Sequence, residues 1–219
     1  AGAGLLQDIP KMIALTAAVV KSTQKPVTVK TRLGWDESTI NIVEVAERLQ
    51  DVGIQALAIH GRTRRQMYKG EADWTLIAEV KNNPRIKIPI FGNGDIDTAE
   101  KVIAARSKYG VDGVMIGRAS IGYPWIFNEI KHFIATGTHS AKPEIEDRIA
   151  VCRRHLSKSI EWKGEVLGVL EMRRHYANYF KGTEHFKEYR MRMVTLNTSA
   201  EIHAVLDEVA ERYVDVMTA

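Results

Sequence analysis

Hydrophobic positions along this chain follow two regimes, and the change falls near residue 118. Before it, four short apolar runs recur, each ending in a polar or glycine-bearing tip: 26–32 (PVTVKTR), 56–63 (ALAIHGRT), 88–95 (IPIFGNGD) and 113–118 (GVMIGR). Their bodies are rich in Val, Ile or Leu with little alternation, the pattern of strands buried on both faces in a parallel sheet. Helical spacing separates them. Ile42, Val43, Val45, Ala46 and Leu49 mark a helix over 39–52, and Gly53 stops it. Asp73 can cap a helix over 74–81. Asp97 with Glu100 forms a capping box for 99–108, which Gly110 ends. Pro10 suits the first turn of a helix reaching residue 21. The tip residues His60, Asn93 and Gly117 are 33 and 24 residues apart, the length of a strand-helix unit.

Beyond residue 118 the strand pattern stops. Residues 124–135 read as a helix closed by Gly137, 136–143 as a linker, and 145–162, 166–180 and 200–217 as helices. The expected organisation is an α/β unit over 1–140 and an all-α domain over 141–219. Repeated strand-helix units with glycine-bearing tips fit a parallel barrel or a doubly wound sheet. A whole (β/α)8 barrel takes about 250 residues. This chain offers four such units, so it is expected to be a fragment or to rely on a partner for the other half, because bare strand edges invite aggregation.

Composition changes this picture little: 45% of residues are hydrophobic and 26% charged, ordinary for a globular protein. No apolar run approaches the roughly 18 residues of a membrane helix, and no signal peptide is evident. Cys152 is the only cysteine, so no internal disulfide can form, and a cytoplasmic setting is expected. The net charge of +4 is mild, but 148–192 holds eleven Lys/Arg against five Asp/Glu. That excess permits an acidic partner and equally suits a solvated helix face.

In a parallel barrel the active site lies at the C-terminal strand ends, so the tips carry the candidate chemistry. Lys30 within a Val-rich strand either snorkels to the rim or aims its cation at an electron-rich ligand. His60, followed by Gly61, is either a satisfied structural histidine or a ligand contact. Arg62 and Arg64 could pair with phosphate or with carboxylates. Gly92-Asn93-Gly94-Asp95 is either a tight turn or an anion-binding nest. Gly117-Arg118 adds a further N–H and a guanidinium, and the last two tips together read as a phosphate grip. His132, His139 and Cys152 lack metal-ligand spacing, and no nucleophile elbow appears. Cys152, beside Arg153 and Arg154, is read as an inert, partly buried thiol, and Tyr176, Tyr179 and Phe180 as core residues.

The four tips in order, VTVKTRLGW, IHGRTRRQMYKGEADW, IPIFGNGDI and VMIGRASIGYPWIF, with EMRRHYANYFKG further on, resemble the tRNA-dihydrouridine synthases, and most closely the bacterial B subgroup. The resemblance implies the second half of an FMN-binding TIM barrel followed by a helical tRNA-binding domain. It implies that Lys30 and His60 contact the isoalloxazine, that Asn93, Gly94, Asp95, Gly117 and Arg118 hold the ribityl phosphate, and that NADPH is the reductant of a reaction converting uridine to dihydrouridine. Arg153, Arg154, Lys158, Arg173, Arg174 and Lys181 become candidates for RNA phosphates. No metal is expected, and the full-length protein is expected to be a monomer. The family's general-acid cysteine should fall upstream of residue 1, leaving the chain inactive alone. Two other readings stay open: a non-catalytic RNA-binding protein with a vestigial half-barrel, and a phosphate-binding barrel enzyme that uses no flavin.

Overall fold

Four strands, β1 (Thr28–Arg32), β2 (Ala56–His60), β3 (Ile90–Asn93) and β4 (Gly113–Met115), pair in the order β1-β2-β3-β4, all parallel. This computed structural model describes residues 2–213. Parallel neighbours require a crossover, which helices α2 (Ile42–Asp51), α3 (Thr75–Asn82) and α4 (Ala99–Tyr109) provide, while α1 (Ile9–Lys21) precedes β1. The chain falls into two compact units, Ala1–Ala119 and Ser120–Ala219.

In the first unit the amphipathic stripe expected in α2 is present: Ile42, Val45, Ala46 and Leu49 are all buried, at the i, i+3, i+4, i+7 spacing of one helix face. The Asp73 carboxylate accepts the Thr75 N–H at 2.8 Å, but α3 starts one residue later than expected, with Trp74 in the N-cap position and no side-chain cap bond. At α4 the cap sits one residue later than expected. Thr98 Oγ1 accepts the Lys101 N–H at 3.3 Å, whereas Asp97 pairs with the Lys101 ammonium at 2.7 Å. Gly110 closes α4 with φ +65°, a conformation that favours glycine.

Strand register sorts the side chains into two faces, because alternate residues point to opposite sides. One face carries the rows Val29–Leu57–Ile90 and Thr31–Ile59–Gly92–Val114. Leu57, Ile59 and Ile90 are fully buried there against Leu49, Trp74, Ile77 and Val80. The other face carries Lys30–Ala58–Phe91–Gly113 and Arg32–His60–Asn93–Met115. Lys30 is exposed and Phe91 and Met115 are only half-buried. The expectation of strands buried on both faces therefore holds for β2, whose Ala58 and His60 are buried as well, but not for β1, β3 and β4. β1 and β4 are the sheet edges.

The second unit contains α5 (Ile126–Thr136), α6 (Ile145–Lys163), α7 (Glu165–Met172), α8 (Tyr176–Tyr179), α9 (Lys187–Met193) and α10 (Ser199–Tyr213). Helix α5 lies in this unit, although its sequence position precedes the expected linker. Ile149, Cys152 and Leu156 of α6 pack with Val169 and Met172 of α7 and with Ile202, Val205, Leu206 and Val209 of α10. Tyr176, Tyr179 and Phe180 belong to this core. Gly168 allows α6 and α7 to touch, since a Cβ there would lie 2.8 Å from Ile160 Cα. The single helix expected over 166–180 is broken into two. The Arg173 and His175 N–H groups bond carbonyls three residues back, on Leu170 and Met172, and this tighter turn ends α7. Helix α9 was not anticipated, because its charged residues hide two buried positions, Tyr189 and Met193. The last positions of the helix expected over 200–217 lie outside the described residues.

Candidate active site at the strand ends

The polar tips of β1, β2 and β3 meet on the face away from the helices. Arg32, His60 and Asn93 share one row, and Lys30 sits one row back on the same face. Asn93 Nδ2 donates to the Met115 carbonyl at 2.7 Å, tying the ends of β3 and β4. The chain then turns through Gly94 (φ +130°) and Asp95 (φ +57°). Gly94 is required by close approach as well as by φ: a Cβ there would lie 2.5 Å from the Ala72 Cβ and 3.2 Å from His60 Cδ2. Trp74, itself buried, donates from Nε1 to the Gly94 carbonyl at 3.1 Å.

Asp95 is the hub. Its carboxylate accepts from Arg62 Nη1 at 2.8 Å and Nη2 at 2.6 Å, from the Ala72 N–H at 2.8 Å and from Arg118 Nη2 at 2.9 Å. The Arg62 hydrogen bonds, foremost among these contacts, hold the carboxyl below the usual range against the opposing effect of burial. Geometry thus decides what the sequence left open for Arg62: it pairs with a carboxylate. It is 2% exposed and also donates to the Lys69 and Gly70 carbonyls. The Arg118 guanidinium lies 4.4 Å from the Tyr68 ring centre, a cation–π distance. Arg32 donates to the Thr63 and Met67 carbonyls at 2.8 and 3.0 Å. Arg32 and Arg62 together pin the β2–α3 loop.

The electrostatics follow from this packing. Burial, reinforced by the cations of Arg32, Lys30 and Arg62, lowers the His60 pKa to about 4. The imidazole is therefore neutral at neutral pH. Although Lys30 as a whole is exposed, partial burial of its ammonium, and then Arg32, pull its pKa below the ordinary value. Lys30, Arg32, Arg62 and Arg118 against Asp95 leave three net positive charges, an arrangement that suits a polyanionic ligand. A Cβ at Gly117 would meet nothing within 4 Å, so packing within the chain does not demand glycine there. Among the described residues no cluster of His, Cys, Asp and Glu could hold a metal.

The six candidate RNA contacts all lie in the second unit and divide by environment. Arg153 donates to His203 Nδ1 at 2.9 Å and pairs with Asp207. Arg173 donates to the Leu196 carbonyl and the Asn197 side chain at 3.0 and 2.9 Å. Both guanidinia are structural ties. Arg154 and Lys181 are exposed. Lys158 pairs with Glu161 at 2.5 Å and Arg174 with Glu171 at 3.5 Å, both on the surface. The sequence reading missed Tyr68 and Trp74 as parts of the strand-end site. Their only signal was their place within the tip motifs.

Fold and residue arrangement define an α/β protein with a cationic, histidine-bearing cluster at the C-terminal ends of a parallel sheet. A model of the dihydrouridine synthase (Dus) family matches residues 1–215. The chain is 42% identical over 207 residues to a probable tRNA-dihydrouridine synthase 1 of Synechocystis, covering 94% of this chain and 58% of that one. It is 40% identical to tRNA-dihydrouridine synthase B of Pseudomonas putida, covering 97% and 63%. It is 36% identical to a probable tRNA-dihydrouridine synthase of Rickettsia conorii, covering 99% and 64%. The chain belongs to the dihydrouridine synthase family, and it spans about three fifths of the length of these relatives. Among the described residues, no helix is long and apolar enough to cross a membrane.

Proposed function

We propose that this chain carries the flavin-holding and RNA-facing parts of a tRNA-dihydrouridine synthase: the second half of a (β/α)8 barrel over 1–140 and an all-α tRNA-binding domain over 141–219. The observation that carries this reading is the convergence of Lys30, His60 and Asn93 on one sheet face, with the Asp95–Arg118 pair just beyond the strand ends, where barrels place their active sites. FMN is the cofactor, NADPH the reductant and tRNA the substrate.

The residues present fit a flavin mononucleotide. Three net positive charges more than offset a phosphate dianion. Gly117, open on its side-chain face, leaves backbone approachable at the β4 tip, while Gly94 lets the β3 tip pack closely on Ala72 and His60. Asn93, Gly94, Asp95, Gly117 and Arg118 hold the phosphate. Asp95 acts there through its backbone, because its carboxylate already has four donors. Lys30 brings a cation to the ring, and neutral His60 brings hydrogen bonding without charge. When bound, FMN supplies hydride transfer from NADPH to the C5–C6 bond of a uracil that has left the RNA stack.

Cys152 takes no part. It is fully buried in the helical core, and burial pushes its thiol up to about 12. The general acid is a cysteine outside this chain, and the chain alone reduces no uridine. Of the RNA candidates, Lys158, Arg174, Arg154 and Lys181 contact phosphates, while Arg153 and Arg173 hold the domain that presents them.

Titration with FMN tests the cofactor assignment. Flavin fluorescence is quenched by the wild-type chain and at least tenfold more weakly by Arg118→Glu, since one substitution reverses a charge at the phosphate (about 1.4 kcal/mol per tenfold). Binding of unmodified tRNA without any FMN binding would favour the vestigial half-barrel instead. Dihydrouridine formed by the chain with FMN, NADPH and unmodified tRNA would refute the absence of its general acid.

A further inference from the structure

The second unit holds a cavity of about 470 Å3 where the last turns of α6 meet α7 and the start of α8. Its size is within the roughly 300–1,000 Å3 of small-ligand sites. Trp162 stands at this cavity and is 84% exposed, whereas Trp35, Trp74 and Trp125 are buried or half-buried. Such exposure leaves most of a large apolar surface in water, a cost that contact with a partner removes. Two imidazoles line the same cavity, His155 and His175, with ring centres 4.8 Å apart. Burial, followed by neighbouring cations, lowers the pKa of His155. Burial, then His155 and Arg174, lowers that of His175. Both rings are neutral at neutral pH and offer hydrogen bonds rather than charge. Lys158, Lys163 and Arg174 surround them, each paired with a surface carboxylate of Glu161 or Glu171.

We propose that this cavity is a subsite for one unstacked nucleotide of the bound RNA, with Trp162 stacking on the base and Lys158, Lys163 and Arg174 taking its phosphates. The proposal rests on the RNA-binding reading and gives it a location. Base stacking on an aromatic face is sequence-tolerant, and the cations follow the backbone. Exposed lysine and arginine pairs contribute little to stability, so these cations can turn from carboxylate to phosphate at small cost. The surrounding stretch 148–192 carries a net charge of +6. That excess favours a polyanion over an apolar protein partner, although Val166 and Leu167 on α7 are also exposed.

The test uses the whole chain and an unmodified tRNA transcript at low salt. Trp162→Ala is expected to weaken binding about tenfold or more, from the stacking contribution of roughly 1–3 kcal/mol per base, while Trp162→Phe retains most of the affinity. RNA should shield one tryptophan from acrylamide quenching, and that shielded fraction should vanish in Trp162→Ala. The exposed position predicts an unchanged urea midpoint for both variants, which separates lost binding from lost folding. Wild-type binding with an unaffected Trp162→Ala variant would overturn this subsite and leave the RNA reading standing. No binding by the wild type would overturn both. Shielding of Trp162 that grows with protein concentration in the absence of RNA would assign the surface to contact between copies and overturn the proposal.

Discussion

Acidification should destabilise this chain through His60 in a window set by its burial. The imidazole is 5% exposed. Its pKa is lowered from 6.5 to about 4 by burial first, then by the cations of Arg32, Lys30 and Arg62, with Asp95 opposing. At about 1.4 kcal/mol per pH unit, that shift disfavours the protonated folded form by roughly 3 kcal/mol. Between pH 4 and 6.5 the unfolded chain binds more protons than the folded one, so stability rises with pH. The contribution is complete above pH 6.5 and is lost as pH falls toward 4. By pH 5 about 2 kcal/mol of it is gone. Urea unfolding at pH 7.5 and pH 5.0, followed for wild type and His60→Gln, isolates this share. His155, His175 and His203 are also shifted down but contribute equally to both proteins. The wild type should lose about 2 kcal/mol more than the variant on going to pH 5. Equal losses, or a His60 ring proton titrating near 6.5 by NMR, would refute the reasoning.

Removing Arg62 with Arg62→Ala should cost about 3 kcal/mol by urea unfolding, the lower end for breaking a buried ion pair, because Asp95 keeps Arg118 and the Ala72 N–H. A loss under 1 kcal/mol would mean that solvent replaces the guanidinium. Gly92→Ala places a Cβ 2.0 Å from Trp74 Cζ3, and the Trp74 Nε1 bond to Gly94 restrains the ring. Overpacking of this kind costs about 1–3 kcal/mol, and Trp74→Phe in the same chain should recover part of the loss. Cys152 should react with an aromatic disulfide reagent far more slowly in the native chain than in urea, since its thiol is buried and pushed up to about 12. Comparable rates would place it outside the core.

The parallel strands and their tips were legible because a chain that must bury Leu57, Ile59 and Ile90 together writes them as unbroken apolar runs. Lys30, His60 and Asn93 stood out as polar breaks at the ends of those runs. Pairings across the tips were not legible. Nothing local distinguishes Arg62, sealed against Asp95 thirty-three positions later, from Arg64 two residues on. The break after Met172 was hidden for a related reason. Leucine, methionine and arginine all favour helix, and only the backbone turn to the Leu170 and Met172 carbonyls ends α7. The apolar stripe of α9 was diluted by four charged residues, Lys187, Glu188, Arg190 and Arg192, around Tyr189 and Met193. The cavity at Trp162 had no motif at all. It exists because Gly168 lets α7 lie against Ile160, which brings His155 and His175 together.

A carboxylate at the centre of an anion-binding cluster looks counterproductive until the cations are considered without it. Lys30, Arg32, Arg62 and Arg118 gather around the ends of four short strands, and the like charges repel one another in a partly desolvated site. Asp95 relieves that repulsion for two of them at once, and it does so with direction. Arg62 is gripped through both terminal nitrogens and buried, so its charge is consumed inside the protein. Arg118 is held through one nitrogen and remains 54% exposed, with its guanidinium 4.4 Å from the Tyr68 ring centre. The carboxylate therefore sorts two identical side chains into a strut and a presenting group. Asp95→Asn should uncouple these roles: Arg118 would keep its charge and lose its aim. Affinity for a phosphate-bearing ligand should then fall even though the net positive charge of the site has risen. An affinity that rises with the added charge would show that Coulomb attraction alone, not orientation, governs binding there.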